Sequence, residues 1–161
     1  DIPNLIDYLI LELYTANVDW PKLNWRAARE RSTSGKLRFY VWDTEYAFKS
    51  RHLNFNGFIQ KIHDDQLVSG GLATDTNVVG PLYRGLKTNP QFRQDFSDRA
   101  KVLFSSGGAL SSENLNRRFD ELYQTLTPVI LNVDTYIKDE WIPLRQDIFL
   151  QMMQEEGVYQ P

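Results

Sequence analysis

Asp19-Trp20-Pro21-Lys22-Leu23-Asn24-Trp25-Arg26, a polar turn over 31–35, and then Lys36-Leu37-Arg38-Phe39-Tyr40-Val41-Trp42-Asp43-Thr44-Glu45-Tyr46-Ala47-Phe48 make up the stretch that decides the fold. Asn24 to Glu30 and Lys36 to Trp42 read as short strands around Ser32-Thr33-Ser34-Gly35, which is a β-hairpin. In the second strand Leu37, Phe39 and Val41 alternate with Arg38, Tyr40 and Trp42, so one apolar face is expected to turn toward the core. Asp19, Asn24 and Asp43 then fall at the ends of the hairpin segments. A carboxylate, an amide oxygen and a second carboxylate placed there can hold a divalent cation or move a proton.

The spacing has a physical reason. Asn24 follows Asp19 by five positions with the turn-forming Pro21 between, so one loop can present both side chains toward a shared point. The strand after the turn brings Asp43 back to the same end. In protein kinases a catalytic-loop Asp accepts the substrate hydroxyl proton, an Asn five residues on holds one magnesium ion, and an Asp beyond the next hairpin holds the other. This chain has that order and spacing, without His-Arg before Asp19 or Phe-Gly after Asp43. Singly, each of the three reads as a turn residue satisfying its own backbone; as an ordered triple they read as a site.

Asn17-Val18-Asp19-Trp20 with Asn24-Trp25, followed by Phe39-Tyr40-Val41-Trp42-Asp43-Thr44-Glu45-Tyr46-Ala47-Phe48, resembles the spore-coat CotH kinase family, an atypical protein-kinase-like group. Pro81-Leu82-Tyr83-Arg84-Gly85-Leu86, with Asn89-Pro90-Gln91-Phe92-Arg93 and Phe96, is similar to that family's stretch downstream of the site. The resemblance runs from the first helix to Arg145. It implies a protein-kinase C-lobe-like helical domain using magnesium and ATP, with Asp19 as catalytic base or substrate-orienting carboxylate and Asn24 and Asp43 as metal ligands. Glu45 stands where family members usually carry Asp, and is a further candidate ligand with a longer arm. A coat or surface protein as substrate and a spore-surface or extracellular location follow from the same resemblance. A kinase's glycine-rich loop and strand lysine have no counterpart before Asp1, so the chain is expected to be a fragment whose N-terminal lobe is missing and which is inactive alone.

Length and composition fit this reading. In 161 residues, 42% hydrophobic and 13% aromatic content suits a single domain, 1–161, with a buried core. A net charge of -3 with no Lys/Arg cluster argues against nucleic acid, and the absence of Cys excludes a disulfide framework or a zinc–thiolate site. No apolar run has membrane length, and a chain opening on Asp1 reads as having lost its natural start.

The remainder is expected to be mainly α with a small β-hairpin. Residues 3 to 16 form an amphipathic helix through Leu5, Ile6, Leu9, Leu13 and Ala16, capped by Asp1. Lys49 to Gly80 reads as a long, partly mobile loop with a short strand or turn around Phe58 to Ile62, and His52 and His63 as solvated loop histidines. Beyond it come helices over Val79 to Leu86, Pro90 to Phe104, a long one from about Glu113 to Val133 kinked by Pro128, and Trp141 to Glu155. Their stripes, including Leu115, Phe119, Leu122, Leu126, Val129 and Ile130 of the third and Trp141, Leu144, Ile148 and Met152 of the last, are expected in the core. Arg117, Arg118 and Arg145 read as solvated or carboxylate-paired rather than as a phosphate site, and the resemblance implies a structural role for Arg145.

Three functions fit: a magnesium-dependent atypical protein kinase; a non-catalytic kinase-like scaffold of a surface coat or multiprotein complex; and a carbohydrate-active domain. The last pairs Asp43 with Glu45, two apart on a strand with Cβ atoms roughly 7 Å apart, and uses Trp20, Trp25 and Trp42 to stack on sugar rings. The motif order favours the first.

Overall fold

A computed structural model describes residues 1–63 and 78–161. Helix α1 (Ile2–Tyr14) begins where the Asp1 carboxylate accepts the Asn4 N–H at 3.2 Å and Pro3 occupies the first turn. Leu5, Ile6, Leu9, Ile10 and Leu13 are buried as the spacing requires, and so are Tyr8, Glu12 and Tyr14. The helix is covered on several sides because the hairpin packs on one flank while later helices pack on others. It stops two residues short of the expected end, and Ala16, buried at φ 52°, sends the chain back across its own C-terminus.

Strands β1 (Trp25–Arg29) and β2 (Leu37–Val41) pair antiparallel, with Trp25 opposite Val41, Ala27 opposite Phe39 and Arg29 opposite Leu37. Gly35 lets the turn close, since a Cβ there would lie 2.2 Å from the Glu30 carbonyl oxygen. One helix side chain ties the hairpin down: Asn4 accepts the Phe39 N–H at 2.7 Å and donates to the Phe39 carbonyl at 3.2 Å, doing what a third strand's peptide group would do. Phe39 is buried and stacks on Tyr8 at 5.3 Å. The apolar face expected from alternation is therefore realised only at its centre, with Leu37 45% and Val41 41% exposed. A five-residue strand is about 17 Å long and a crossing helix only about 10 Å wide, so α1 covers the middle and leaves the ends. Replacing Asn4 with Leu strands the half-buried Phe39 amide; we expect a loss of about 1–3 kcal/mol in urea unfolding and faster amide exchange at Phe39. A loss below about 0.5 kcal/mol would show that the pairing is incidental.

Between Lys49 and His63 the chain is packed rather than looped. Ser50–His52 makes one 3-10 turn, and Phe58–Ile62 a π-helical turn whose Phe58 and Ile62 are fully buried, Phe58 lying parallel to Phe149 with ring centres 6.2 Å apart. This is the short strand or turn expected around Phe58 to Ile62, and what differs from expectation is its packing into the core. His63 is likewise half-buried: its Nε2 meets Glu156 Oε1 at 2.8 Å, an oxygen that also accepts from Tyr83 and Lys87. Residues 64–77 of the expected loop lie outside the described residues.

Helices α2 (Val79–Lys87), α3 (Pro90–Phe104), α4 (Ser112–Leu126) and α5 (Ile142–Glu155) follow, the last preceded by a π-helical turn over Ile137–Trp141. Asn89 caps α3 through the Gln91 N–H, and Phe92, Phe96, Ala100 and Phe104 are all buried. Helix α4 departs from expectation. It ends at Leu126 because Pro128 has no N–H to continue the ladder and its ring would meet the carbonyl four residues back, so the proline stops the helix instead of kinking it. Of its apolar stripe Leu115 packs against the core, but no α4 residue is fully buried, Leu122 is 62% exposed, and Val129 and Leu131 beyond it are 78% and 91% exposed. Leu144 of α5 is also exposed, whereas Trp141, Phe149 and Met152 are buried as expected. Among the described residues no helix is long and apolar enough to cross a membrane.

Arg145 reverses its solvated or carboxylate-paired reading and takes the structural place that the resemblance implies. It is fully buried without a carboxylate partner among the described residues, and its guanidinium donates to the carbonyls of Tyr14 (2.9 Å), Leu13 (2.8 Å), Leu53 (2.7 Å) and Phe55 (3.1 Å) between the rings of Trp141 and Phe149. Two of those carbonyls end α1, where a helix lacks intrahelical donors. Arg117 and Arg118 do pair with a carboxylate, both reaching Glu121 at the surface.

Candidate functional site

The loop carrying Asp19 is anchored on both sides. Before it, buried Asn17 donates from Nδ2 to Glu12 Oε2 at 3.0 Å, and the Asn17 N–H bonds the Glu12 carbonyl at 3.2 Å. After it, buried Trp20 donates from Nε1 to the Tyr8 hydroxyl at 2.6 Å and lies edge-on to that ring; the Trp20–Pro21 peptide is cis. Half-buried Asp19 accepts the Leu23 N–H at 2.9 Å through its backbone carbonyl, which rounds the loop into Asn24 and β1.

Asn24 and Asp43 meet at the root of the hairpin. Asn24 Nδ2 donates to the Asp43 carbonyl at 3.4 Å. A carbonyl only accepts, so this contact engages the amide nitrogen and leaves Oδ1 as the atom available to a ligand. Both residues are left-handed, Asn24 at φ 58° and Asp43 at φ 53°, a conformation that Asn and Asp tolerate best among residues with a Cβ. Ala16 and Phe48, at φ 52° and 57°, flank the same region, and the Phe48 N–H donates to the Thr15 carbonyl at 2.9 Å. Four of the five non-glycine residues with positive φ among those described thus lie around this loop and hairpin root, and such strain concentrates where structure serves function. A cleft of about 410 Å³ lined by Lys22 to Ala27 opens beside Asn24.

The structure therefore ties Asn24 to Asp43, and it places Asp19 in the turn that leads into Asn24. Asp43 and Glu45 are solvent-exposed, Glu45 in the turn closed by the Ala47 N–H on the Thr44 carbonyl. Among the described residues no three His, Cys, Asp or Glu side chains converge, so a cation here would rest on the Asn24 amide, a carboxylate and the oxygens of a ligand. The geometry behind a carbohydrate site is not met. β2 ends at Val41 and Asp43 is left-handed, so Asp43 and Glu45 do not share a strand face; Trp20 is buried and closed to a sugar ring.

Sequence reasoning missed the groups that hold the site. Tyr8, Glu12, Asn17 and Arg145 look unremarkable singly. The available signal was a carboxylate, Glu12, set among the apolar residues of α1 with an Asn five positions on, since a buried carboxyl demands a partner. Burial pushes the Glu12 carboxyl up to about 7, against the opposing hydrogen bond from Asn17; burial and then the neighbouring Glu12 charge push the Tyr8 hydroxyl up. His52, beside Arg51, Lys61 and Lys49, is lowered, first by burial and then by those cations.

No curated protein and no solved structure matches this chain. The profile of the CotH kinase protein family matches residues 1–141, which takes in α1, the hairpin, Asp19, Asn24, Asp43 and Glu45 and stops four residues short of Arg145. On that match, the chain belongs to the CotH kinase protein family.

Proposed function

We propose that this chain carries the phosphotransfer site of a magnesium-dependent protein kinase, with ATP as phosphoryl donor and a protein hydroxyl as acceptor. The observation that supports it best is the Asn24–Asp43 contact at the hairpin root, directly after the Asp19 turn, in a chain of a kinase-like family. The donors fit magnesium: all are oxygens, Asn24 keeps Oδ1 available while Nδ2 bonds the Asp43 carbonyl, and Asp43 is exposed, which suits a small hard ion that keeps waters and nucleotide oxygens in its shell. When bound, magnesium would neutralise charge on the transferring phosphate.

Asn24 and Asp43 would hold the ion, with exposed Glu45 close enough in sequence to add an oxygen. Asp19 accepts the proton as the acceptor hydroxyl oxygen bonds to the terminal phosphorus and the bond to the departing diphosphate breaks. The Glu12–Asn17 and Tyr8–Trp20 contacts fix the backbone on either side of Asp19, so that its carboxylate is positioned before substrate arrives. The protein substrate, in this reading, is a coat or surface protein.

The test is Asp43→Asn in the full-length protein, assayed by transfer of radiolabelled phosphate from ATP. Asn keeps the left-handed backbone and removes only the charge, so transfer should fall by more than about 100-fold while the melting temperature moves by less than about 2 °C. Undiminished transfer would remove Asp43 from the chemistry. No transfer by the unsubstituted protein under any magnesium-nucleotide condition would favour the scaffold reading.

A further inference from the structure

The charge of this chain is unevenly distributed. Residues 22–38 carry six cations, Lys22, Arg26, Arg29, Arg31, Lys36 and Arg38, against one anion, Glu30; the segment is +5 in a chain of -3, and everything else is -8. They form no run in the sequence, being spaced two to five apart, and it is the hairpin that gathers them. The register places Arg26 opposite Tyr40 and Ala28 opposite Arg38, so Arg26, Arg38 and Tyr40 share the face turned away from Phe39 and the core. Arg31 and Lys36 extend from the turn.

Four of these cations meet no carboxylate among the described residues. Arg38 meets Asp1 at 3.3 Å, but among the described residues no carboxylate meets Arg26, Arg29, Arg31 or Lys36. Arg29 bonds only the Ser32 carbonyl, and Arg26 bonds the Trp25 carbonyl and lies 5.2 Å from the Trp42 ring. Tyr40 and Trp42 are each about half exposed on this side of the hairpin, giving planar surfaces between the charges. Two clefts follow the turn, one of about 670 Å³ beside Arg29 to Thr33 and one of about 460 Å³ reaching Lys36 and Arg38.

We propose that the outer face of this hairpin is a docking surface for an acidic protein segment. Its size selects the partner: five-residue strands span about 17 Å, the reach of some five to six extended residues. A rigid duplex would continue past the hairpin onto the rest of the chain, whose net charge is -8, and is repelled by it, whereas a short acidic segment can confine its charge to the basic face. Because the hairpin root holds Asn24 and Asp43, a docked segment brings nearby hydroxyls to the proposed transfer site. That consequence rests on the kinase reading; the binding itself does not.

Binding is measured by fluorescence anisotropy on the full-length protein without nucleotide, using a labelled twelve-residue peptide of alternating Glu and Ser. The peptide should bind, and its affinity should fall by about 10-fold or more between 50 and 300 mM salt. The exposed double variant Arg31→Glu/Lys36→Glu should lose about 10-fold or more in affinity while melting cooperatively as the unsubstituted protein does. The neutral double variant Arg31→Ser/Lys36→Ser should fall between the two, and it replaces the first if charge reversal disturbs folding. No binding, or equal binding by the neutral variant, overturns the proposal. Duplex DNA of equal charge displacing the peptide at lower concentration than unlabelled peptide does would overturn it in favour of a nucleic-acid surface. Asp43→Asn should bind the peptide normally, so loss of transfer and loss of docking are read separately.

Discussion

Replacing Arg145 with Leu is expected to destabilise the protein by about 3–5 kcal/mol, a large part of the 5–15 kcal/mol that holds most domains folded. Among the described residues the guanidinium is the only side-chain donor reaching the carbonyls of Leu13, Tyr14, Leu53 and Phe55, so its loss takes a donor from acceptors of two chain segments at once, the Leu13 carbonyl alone keeping a backbone donor in the Ala16 N–H. Burial pushes Arg145 down to about 10, the nearby Tyr14 hydroxyl acting in the opposite sense, and a group with that value is still charged at neutral pH. Lys keeps the charge but not the planar fork, and should recover less than half of the loss. Urea unfolding of both variants measures this. A loss below about 1 kcal/mol in Arg145→Leu would mean that these carbonyls find other donors.

Stability is expected to fall as pH rises from about 4.5 to about 7, and Glu12 is the reason. Its folded value, pushed up to about 7 by burial, lies above the ordinary 4.5. Below 4.5 the group is protonated in both states and contributes no difference. Between the two values the unfolded chain releases the proton while the folded protein keeps it, so unfolding is favoured more with each step in pH, and above about 7 the loss is complete. A gap of that size corresponds to about 3 kcal/mol. The unpaired atoms agree in kind: Glu12 Oε1 and Asn17 Oδ1 are buried without partners among the described residues, and both are acceptors while Glu12 is ionised, so a proton on Glu12 supplies the missing donor. Glu12→Gln should flatten the slope and raise the melting temperature at pH 8 more than at pH 4.5. An unchanged slope would assign the pH dependence to another group.

Local patterns carried the elements, while the contacts between them were hidden. The hairpin was legible because alternation, a polar turn and Gly35 agree, and α3 because Asn89-Pro90 and a four-residue aromatic repeat agree. Asn24 and Asp43 were legible as a pair because strand pairing returns a chain to its own root. Burial of Leu37, Val41 and the α4 stripe was not, since an apolar stripe states what a face could bury and not whether another element reaches it. The contacts of Arg145 were illegible for the converse reason: its partners are backbone carbonyls, which every sequence has. The basic face of the hairpin escaped notice because its cations are neighbours across strands and not along the chain.

The central claim, that Asn24 and Asp43 hold the metal of a phosphotransfer site beside Asp19, is tested most directly by replacing magnesium with paramagnetic manganese. In the full-length protein with ATP, manganese should broaden the Asn24 side-chain amide and the backbone resonances of Asp19 and Asp43 first, leave those of Arg145 and α3 sharp, and lose this selectivity in Asp43→Asn. Broadening centred elsewhere, or unchanged in that variant, would contradict the assignment.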